Sequence, residues 1–573
     1  MIFTLIVAWI LWIIFINLIS GWSLLLIFYK NPRNELNELE IFSYSFSFGA
    51  SYLAILGFIL DWTIGVTFVH VLIPTIIIIL AALIIRRKYL LDQIKFQSIF
   101  KNKSFILIIL VLAFGLIIRG AVPLVNEILM AWDPWYWLNV AKNIVYHGHS
   151  LISFKPLYPS GYAYISGISC LVSLELTYLY IQLISVIVYF SVGATTIISL
   201  AYRVLDENKV YSLFAGLVFS ASYFLASYGM LGLPQNVAFA IIPAALFVTS
   251  KRGLKRLPGL FLLAGVYVIH SPSAMIILIT LSVYGLYYLL THREAIHYIE
   301  TKIIIILLLL LASITPIIVG LFFPFIIDYF LKFTYTSSIK PQPVIYLFYS
   351  AGIITYSLAF LGGVYALRNE VTLLKMFFIL LIVSTVFTFL PASVLGIPWP
   401  PIRYIMYMSI ASSVLACFGM KKTVELIKKF DKKNNFSKYI IPFFMIGTIM
   451  FQSSIGLTAL IGKGYWDFAI NKDEYQTLIW LNNQSNYSES VIVYPSIILP
   501  SKALLNPRFV GTNATHVFNE TVVNATIISE LLTSRYNYLI VDVGNYPILS
   551  SLIDANPSFT LVHEISNIRV YQF

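Results

Sequence analysis

Long apolar runs separated by short polar breaks dominate the chain, and the breaks set its organisation. A helix crosses the hydrocarbon of a bilayer in about 20 apolar residues. By that length, runs at 1–29, 41–61 and 65–85 are spans, with a fourth at 104–118. Further runs lie at 177–202, 212–228, 237–250, 257–270, 274–290, 303–326, 344–367, 372–391, 404–420 and 439–461. The expected fold is therefore mostly α, a polytopic transmembrane helical bundle of about fourteen spans. The run at 1–29 lacks the basic start of a signal peptide and reads as a retained span.

The charges between the runs give an orientation. Basic breaks at 86–103, 251–256, 292–302, 368–375 and 421–438 fall on alternate turns, the pattern of cytoplasmic loops. Parity then places one long loop, 119–174, on the outer face. Within it, the Ser- and Gly-studded tract 158–173 reads as an interfacial or re-entrant helix rather than a crossing. The organisation that follows is an N-terminal extension of about three spans over 1–103, a transmembrane module over 104–461, and an outer domain over 462–573.

Beyond residue 462 the periodicity changes. Helices are expected at 473–482, 527–534 and 547–554, strands at 491–494 and 538–543, and a hairpin from 561 to 573. Alternating strand and helix make this a small α/β domain. Five N-x-S/T sequons, at Asn483, Asn486, Asn513, Asn519 and Asn524, place it on the extracytoplasmic side.

Composition agrees: 59% of residues are hydrophobic and 11% charged, where soluble chains carry about 25% charged residues. The net charge of +12 resides in the short loops, so it indicates membrane orientation and not a nucleic-acid partner. Two cysteines, Cys170 and Cys417, in apolar surroundings exclude a disulfide framework. The localisation expected is a multi-pass cell-membrane protein.

Candidate chemistry centres on M-A-W-D-P-W-Y-W, where Asp133 stands among Trp132, Trp135, Tyr136 and Trp137. An acid at an aromatic membrane boundary is costly and invites a task. Asp133 reads as a general base, a metal ligand or a helix N-cap before Pro134. His147 and His149 are either metal ligands beside it or a solvated loop. Arg403 opens a late span on the expected outer face, where a guanidinium suits a phosphate. Lys332 and Lys340, in an outer loop, could add to that anion site or be merely solvated. His270 lines a cavity or ends a helical hairpin, and Trp466 and Asp467 sit just outside the last span, where the Tyr465–Trp466 pair reads as an interfacial anchor.

Together these residues resemble the GT-C superfamily of membrane glycosyltransferases, over roughly 104–461 and loosely the C-terminal domain. A-W-D-P-W-Y-W-L-N-V-A-K-N-I-V-Y-H-G-H looks like the first outer loop of oligosaccharyltransferase catalytic subunits. Y-P-S-G at 158–161 is similar to a tract in that position, and P-P-I-R-Y at 400–404 looks like the arginine that faces the lipid-linked phosphate. G-M-L-G-L-P-Q-N-V-A, at 229–238, falls where the second acidic motif would lie.

The resemblance implies an inverting enzyme that takes a sugar from a polyprenyl-phosphate donor. Asp133 would be catalytic, with Arg403, Lys332 and Lys340 on the donor phosphate. Trp132, Trp135, Tyr136, Tyr158, Gln235, Asn236 and His270 would contact the sugar or the glycan, lipid or protein acceptor. Two departures matter. Ala131 stands where the first motif has another acid, and Pro234, Gln235 and Asn236 replace the second. No cofactor is then required, and a divalent metal on Asp133, His147 and His149 is the weaker alternative. Tyr465-Trp466-Asp467-Phe468 keeps only W-D of the acceptor-sequon motif, so a relative moving a single sugar is favoured over an oligosaccharyltransferase. The reading from another class is a multi-span transporter or lipid flippase. Against it, the chain has no internal repeat and its ionisable candidates fall at the outer face.

Overall fold

In a computed structural model, the chain is described over residues 2–29, 32–87, 102–125, 133–150, 160–222, 231–251, 253–291, 352–368, 371–389, 402–430, 470–484, 490–505, 510–511, 525–533 and 536–573, with isolated positions between these. The molecule is mostly helical, with one small C-terminal sheet.

The N-terminal helices are α1 (Phe3–Phe28), α2 (Glu38–Trp62) and α3 (Phe68–Arg86). They are followed by α4 (Asn102–Val125), α5 (Asp133–His147), α6 (Gly161–Ser169) and α7 (Leu176–Val204). Next come α8 (Lys209–Ala221), α9 (Pro234–Thr249), α10 (Leu257–Ile269) and α11 (Ser271–Thr291). The helical part closes with α12 (Ile353–Leu367), α13 (Thr372–Phe389) and α14 (Ile402–Phe430).

Among the described residues seven helices, α1, α2, α3, α7, α11, α13 and α14, are long and apolar enough to cross a membrane. Five shorter apolar helices, of 10–17 residues, include α8, α9, α10 and α12. The run expected at 303–326 and nearly all of 439–461 lie outside the described residues. The tract 158–173 yields α6, nine residues long and buried throughout. At about 1.5 Å per residue it is too short to cross.

The three N-terminal helices are not an appendage. Helix α2 packs on α1, α6, α7 and α10. Its start is fixed by a capping box: Glu40 N–H donates to Asn37 Oδ1 at 2.9 Å, and Asn37 N–H to Glu40 Oε2 at 2.8 Å. Gly21 of α1 and Gly49 of α2 let the backbones touch, since an added Cβ would lie 1.7 Å from Ser45 O and 1.8 Å from Asn17 O, respectively. At this end of the bundle the fully buried Glu40 takes Arg203 of α7, whose Nε donates at 2.8 Å and whose Nη2 completes the pair.

The C-terminal domain runs α15 (Lys472–Gln484), β1 (Val491–Val493), α16 (Ile498–Leu504), β2 (Val510–Gly511), α17 (Ala525–Thr533), β3 (Tyr538–Asp542), α18 (Pro547–Asp554), β4 (Thr560–Ile565) and β5 (Ile568–Gln572). The sheet order is β2-β1-β3-β5-β4, parallel across β2, β1 and β3 and antiparallel in the β4–β5 hairpin. Strand β3 is buried along its whole length, as its unbroken run Y-L-I-V-D implies. Helix α16 lies against α5, so the domain is seated on the helix that begins with Asp133.

Candidate active site at converging helix starts

Asp133 is the first residue of α5, and its Oδ2 lies 3.5 Å from Nη2 of Arg403, the second residue of α14. The two are separated by 270 positions in sequence yet meet as an ion pair, the carboxylate about half exposed and the arginine mostly covered. One turn further along α14, Tyr407 shares the face of Arg403, because residues four apart stack on a helix.

The Tyr407 hydroxyl lies 2.6 Å from Ser273 Oγ near the start of α11, and the Gln235 side chain, from the first turn of α9, stands beside it. The first two turns of α5, α9, α11 and α14 are thereby brought together. Each such helix start presents unsatisfied N–H groups and roughly half a positive charge. Four of them beside an arginine make a place suited to an anion.

His270 lies in the break between α10 and α11 and is buried. Its Nδ1 accepts from Ser273 N at 3.2 Å and lies 2.7 Å from Ser273 Oγ, and the Arg403 charge acts on the ring. Asn236 turns elsewhere. It lines a small cavity of about 20 Å³ with Arg119, Tyr189, Phe190 and Gly229. Arg119, itself buried, donates to Ser220 O at 2.8 Å and covers the Phe190 ring, so it closes the end of α8.

Trp135 is fully buried, its ring 5.9 Å from that of Tyr178. Tyr136 is half-buried, edge-on to Trp137, and burial raises the pKa of its phenol. Trp132, Tyr158, Lys332, Lys340, Trp466 and Asp467 lie outside the described residues.

The metal alternative of Asp133 with His147 and His149 is corrected by the helix between them. Asp133 and His147 are the two ends of the 15-residue α5, a separation of roughly 20 Å at 1.5 Å per residue. His149 is instead tied to the carboxyl end of α2, with Nδ1 2.9 Å from Asp61 O and 3.3 Å from Asp61 Oδ1. Among the described residues no group of three or more His, Cys, Asp or Glu could hold a metal. Arg403 beside Asp133 also puts a positive charge where a cation would bind. These residues do not fit a divalent-metal centre.

Asp61 has a part that the sequence reading missed. It is 2% exposed, and its carboxylate accepts from Ser150 N at 2.9 Å, Ser150 Oγ at 2.7 Å and Tyr164 Oη at 2.6 Å. Val66 N adds a bond to Gly148 O at 2.7 Å. The far end of α5 is therefore held by the N-terminal helices. The signal available was an acid closing an apolar run before Trp62.

No protein-family model matches the chain, and a search of curated proteins returns no match.

Proposed function

We propose that the chain is a GT-C-type glycosyltransferase of about fourteen spans, working on the extracytoplasmic side of a cell membrane. The observation that carries this reading is the Asp133–Arg403 pair at four converging helix starts. It supplies an anion site and a carboxylate in one place. The sequons of the C-terminal domain support the orientation, and the seating of α16 on α5 puts that domain beside the site.

The donor is a polyprenyl-phosphate sugar, entering between helices from the bilayer. Its phosphate takes the Arg403 guanidinium and the helix N–H groups, which releases the Asp133 carboxylate. The acceptor hydroxyl of a glycan, lipid or protein then gives its proton to Asp133 while its oxygen attacks the anomeric carbon. The bond from that carbon to the phosphate oxygen breaks with its electron pair, and Arg403 stabilises the phosphate as charge grows there. The sugar is transferred with inversion, and polyprenyl phosphate leaves. Lys332 and Lys340 would add to the phosphate site, with Trp132 and Tyr158 at the acceptor side.

Transfer from radiolabelled polyprenyl-phosphate sugars in vesicles tests this, using Asp133→Asn and Arg403→Ala. The expected loss is at least 100-fold in each, about 2.7 kcal/mol or more of transition-state stabilisation. Wild-type rates in both variants would sink the mechanism. Helix starts converging on an anion also suit a transporter; solute movement without consumption of the lipid-linked sugar would favour that reading. Glycopeptide formed from a sequon peptide and a lipid-linked oligosaccharide would favour an oligosaccharyltransferase.

A further inference from the structure

Beneath the Asp133–Arg403 pair lies a layer of neutral polar side chains joined in one hydrogen-bonded row. Ser273 N–H is shared between His270 O at 2.9 Å and His270 Nδ1 at 3.2 Å. Ser273 Oγ lies 2.7 Å from the same Nδ1, with donor and acceptor set by the imidazole tautomer. It also lies 2.6 Å from the Tyr407 hydroxyl, where either oxygen can donate. The row runs His270, Ser273, Tyr407, and it engages one side of the Tyr407 hydroxyl.

Gln235 stands beside that oxygen, 3% exposed, and its Nε2 makes no well-formed bond within the described residues. A buried amide donor without a partner is costly, and native proteins rarely keep one. Its position is also specific. Gln235 is in the first turn of α9, and Tyr407 is one turn below Arg403 on α14. A ligand whose phosphate meets Arg403 would extend its next few atoms to this layer, at about 5–6 Å from the arginine.

We propose that Gln235 and Tyr407, backed by Ser273 and His270, form a neutral subsite that binds the hydroxyl groups of the sugar carried on the phosphate held by Arg403. This rests on the glycosyltransferase reading and assigns the layer to the donor sugar rather than to the phosphate or the acceptor. The chemistry matches. Gln235 Nε2–H donates to a hydroxyl oxygen, the Tyr407 hydroxyl exchanges a hydrogen bond with another, and no ionised group there has to be desolvated along with the sugar. Ser273 and His270 are positioning residues that hold the Tyr407 hydroxyl in place.

The test measures binding of three lipids to the full chain in nanodiscs: dolichyl phosphate, dolichyl-phosphate-mannose and dolichyl-phosphate-glucose. Wild type should bind at least one glycosylated lipid about tenfold more tightly than bare dolichyl phosphate, the effect of one or two good hydrogen bonds. Gln235→Leu and Tyr407→Phe keep the side-chain volume, and each should erase that preference while leaving dolichyl phosphate affinity unchanged. Arg403→Ala should weaken all three lipids. If both floor variants keep the sugar preference, or wild type has none, the layer is satisfied by internal water and the inference falls. Arg403-dependent binding of dolichyl phosphate would still stand in that case, and with it the glycosyltransferase reading. If Arg403→Ala changes no affinity, that reading falls as well.

Discussion

The Tyr164 hydroxyl donates to Asp61 Oδ2 at 2.6 Å, joining α6 of the long loop to the end of α2. With Ser150 N and Oγ on the same carboxylate, one buried acid holds both the exit of α5 and the middle of α6. Asp61→Asn replaces one accepting oxygen by a donor that faces donors. It should lower stability by about 3 kcal/mol, since bonds to a buried charge are worth about 1.5–3 kcal/mol each. Thermal unfolding in detergent reads this. Kinetics separate positioning from binding: kcat should fall while donor affinity, set by Arg403, holds. Tyr164→Phe removes one of the bonds and should have the same sign at roughly half the size.

Lys142 lies on α5 partly buried, and burial pushes its ammonium down to about 8. In the unfolded chain it titrates at about 10.4. Between those values the unfolded chain binds more protons, so stability rises with pH from about 8 to about 10.4 and is flat below. Each pH unit corresponds to 1.36 kcal/mol, and with a discount for partial exposure the gain is about 2 kcal/mol. Lys142→Met should raise the thermal midpoint at pH 7 and remove this part of the slope. A variant with an unchanged pH profile above 8 would refute the assignment.

Glu40 and Arg203 form a pair in which the acid is fully buried. Glu40→Gln leaves the arginine without its counter-charge and should cost about 3–5 kcal/mol. The double variant Glu40→Gln with Arg203→Met should cost less than the sum of the singles, because the stranded charge is gone. A double-mutant cycle on thermal midpoints decides it; additivity would mean that the pair is uncoupled.

Gly161 opens α6 against the end of α10, where an added Cβ would lie 2.4 Å from Val268 O and 2.7 Å from Ile269 N. Backbone on both sides cannot step aside. Gly161→Ala should destabilise by about 1–3 kcal/mol and shift the adjoining His270, which a lowered affinity for glycosylated lipid over bare lipid phosphate would report.

The sequence made the long apolar helices and the C-terminal hairpin legible because both rest on local period, which a single chain displays. Asp133 and Arg403 were readable as chemistry, an acid and a guanidinium in apolar surroundings. Their meeting at 3.5 Å was not, since it depends on how distant helix starts converge. Tyr407 and Ser273 escaped notice because Tyr and Ser are common in this chain and nothing local singles them out. Asp61 escaped for another reason. It closes a run that reads as part of a separate N-terminal extension, and its partners Ser150 and Tyr164 are some 90–100 residues away. The two-residue strand β2 and the helix α16 lack a period long enough to detect.

The indole N–H groups of Trp9 and Trp12 donate to Ser169 O at 2.9 Å and Ile168 O at 2.8 Å, the last carbonyls of α6. These partners are 160 and 156 positions apart along the chain. At 5–20 residues per second a ribosome needs roughly 8–30 s to cover that interval. Throughout it, the indoles of Trp9 and Trp12 lack the α6 carbonyls that they hold in the folded chain. Helix α1 can therefore be seated on α6 only long after it is made, and the loop bearing Asp133 can be locked only after α6 has emerged. At this corner of the molecule the order of synthesis is thus not the order of assembly.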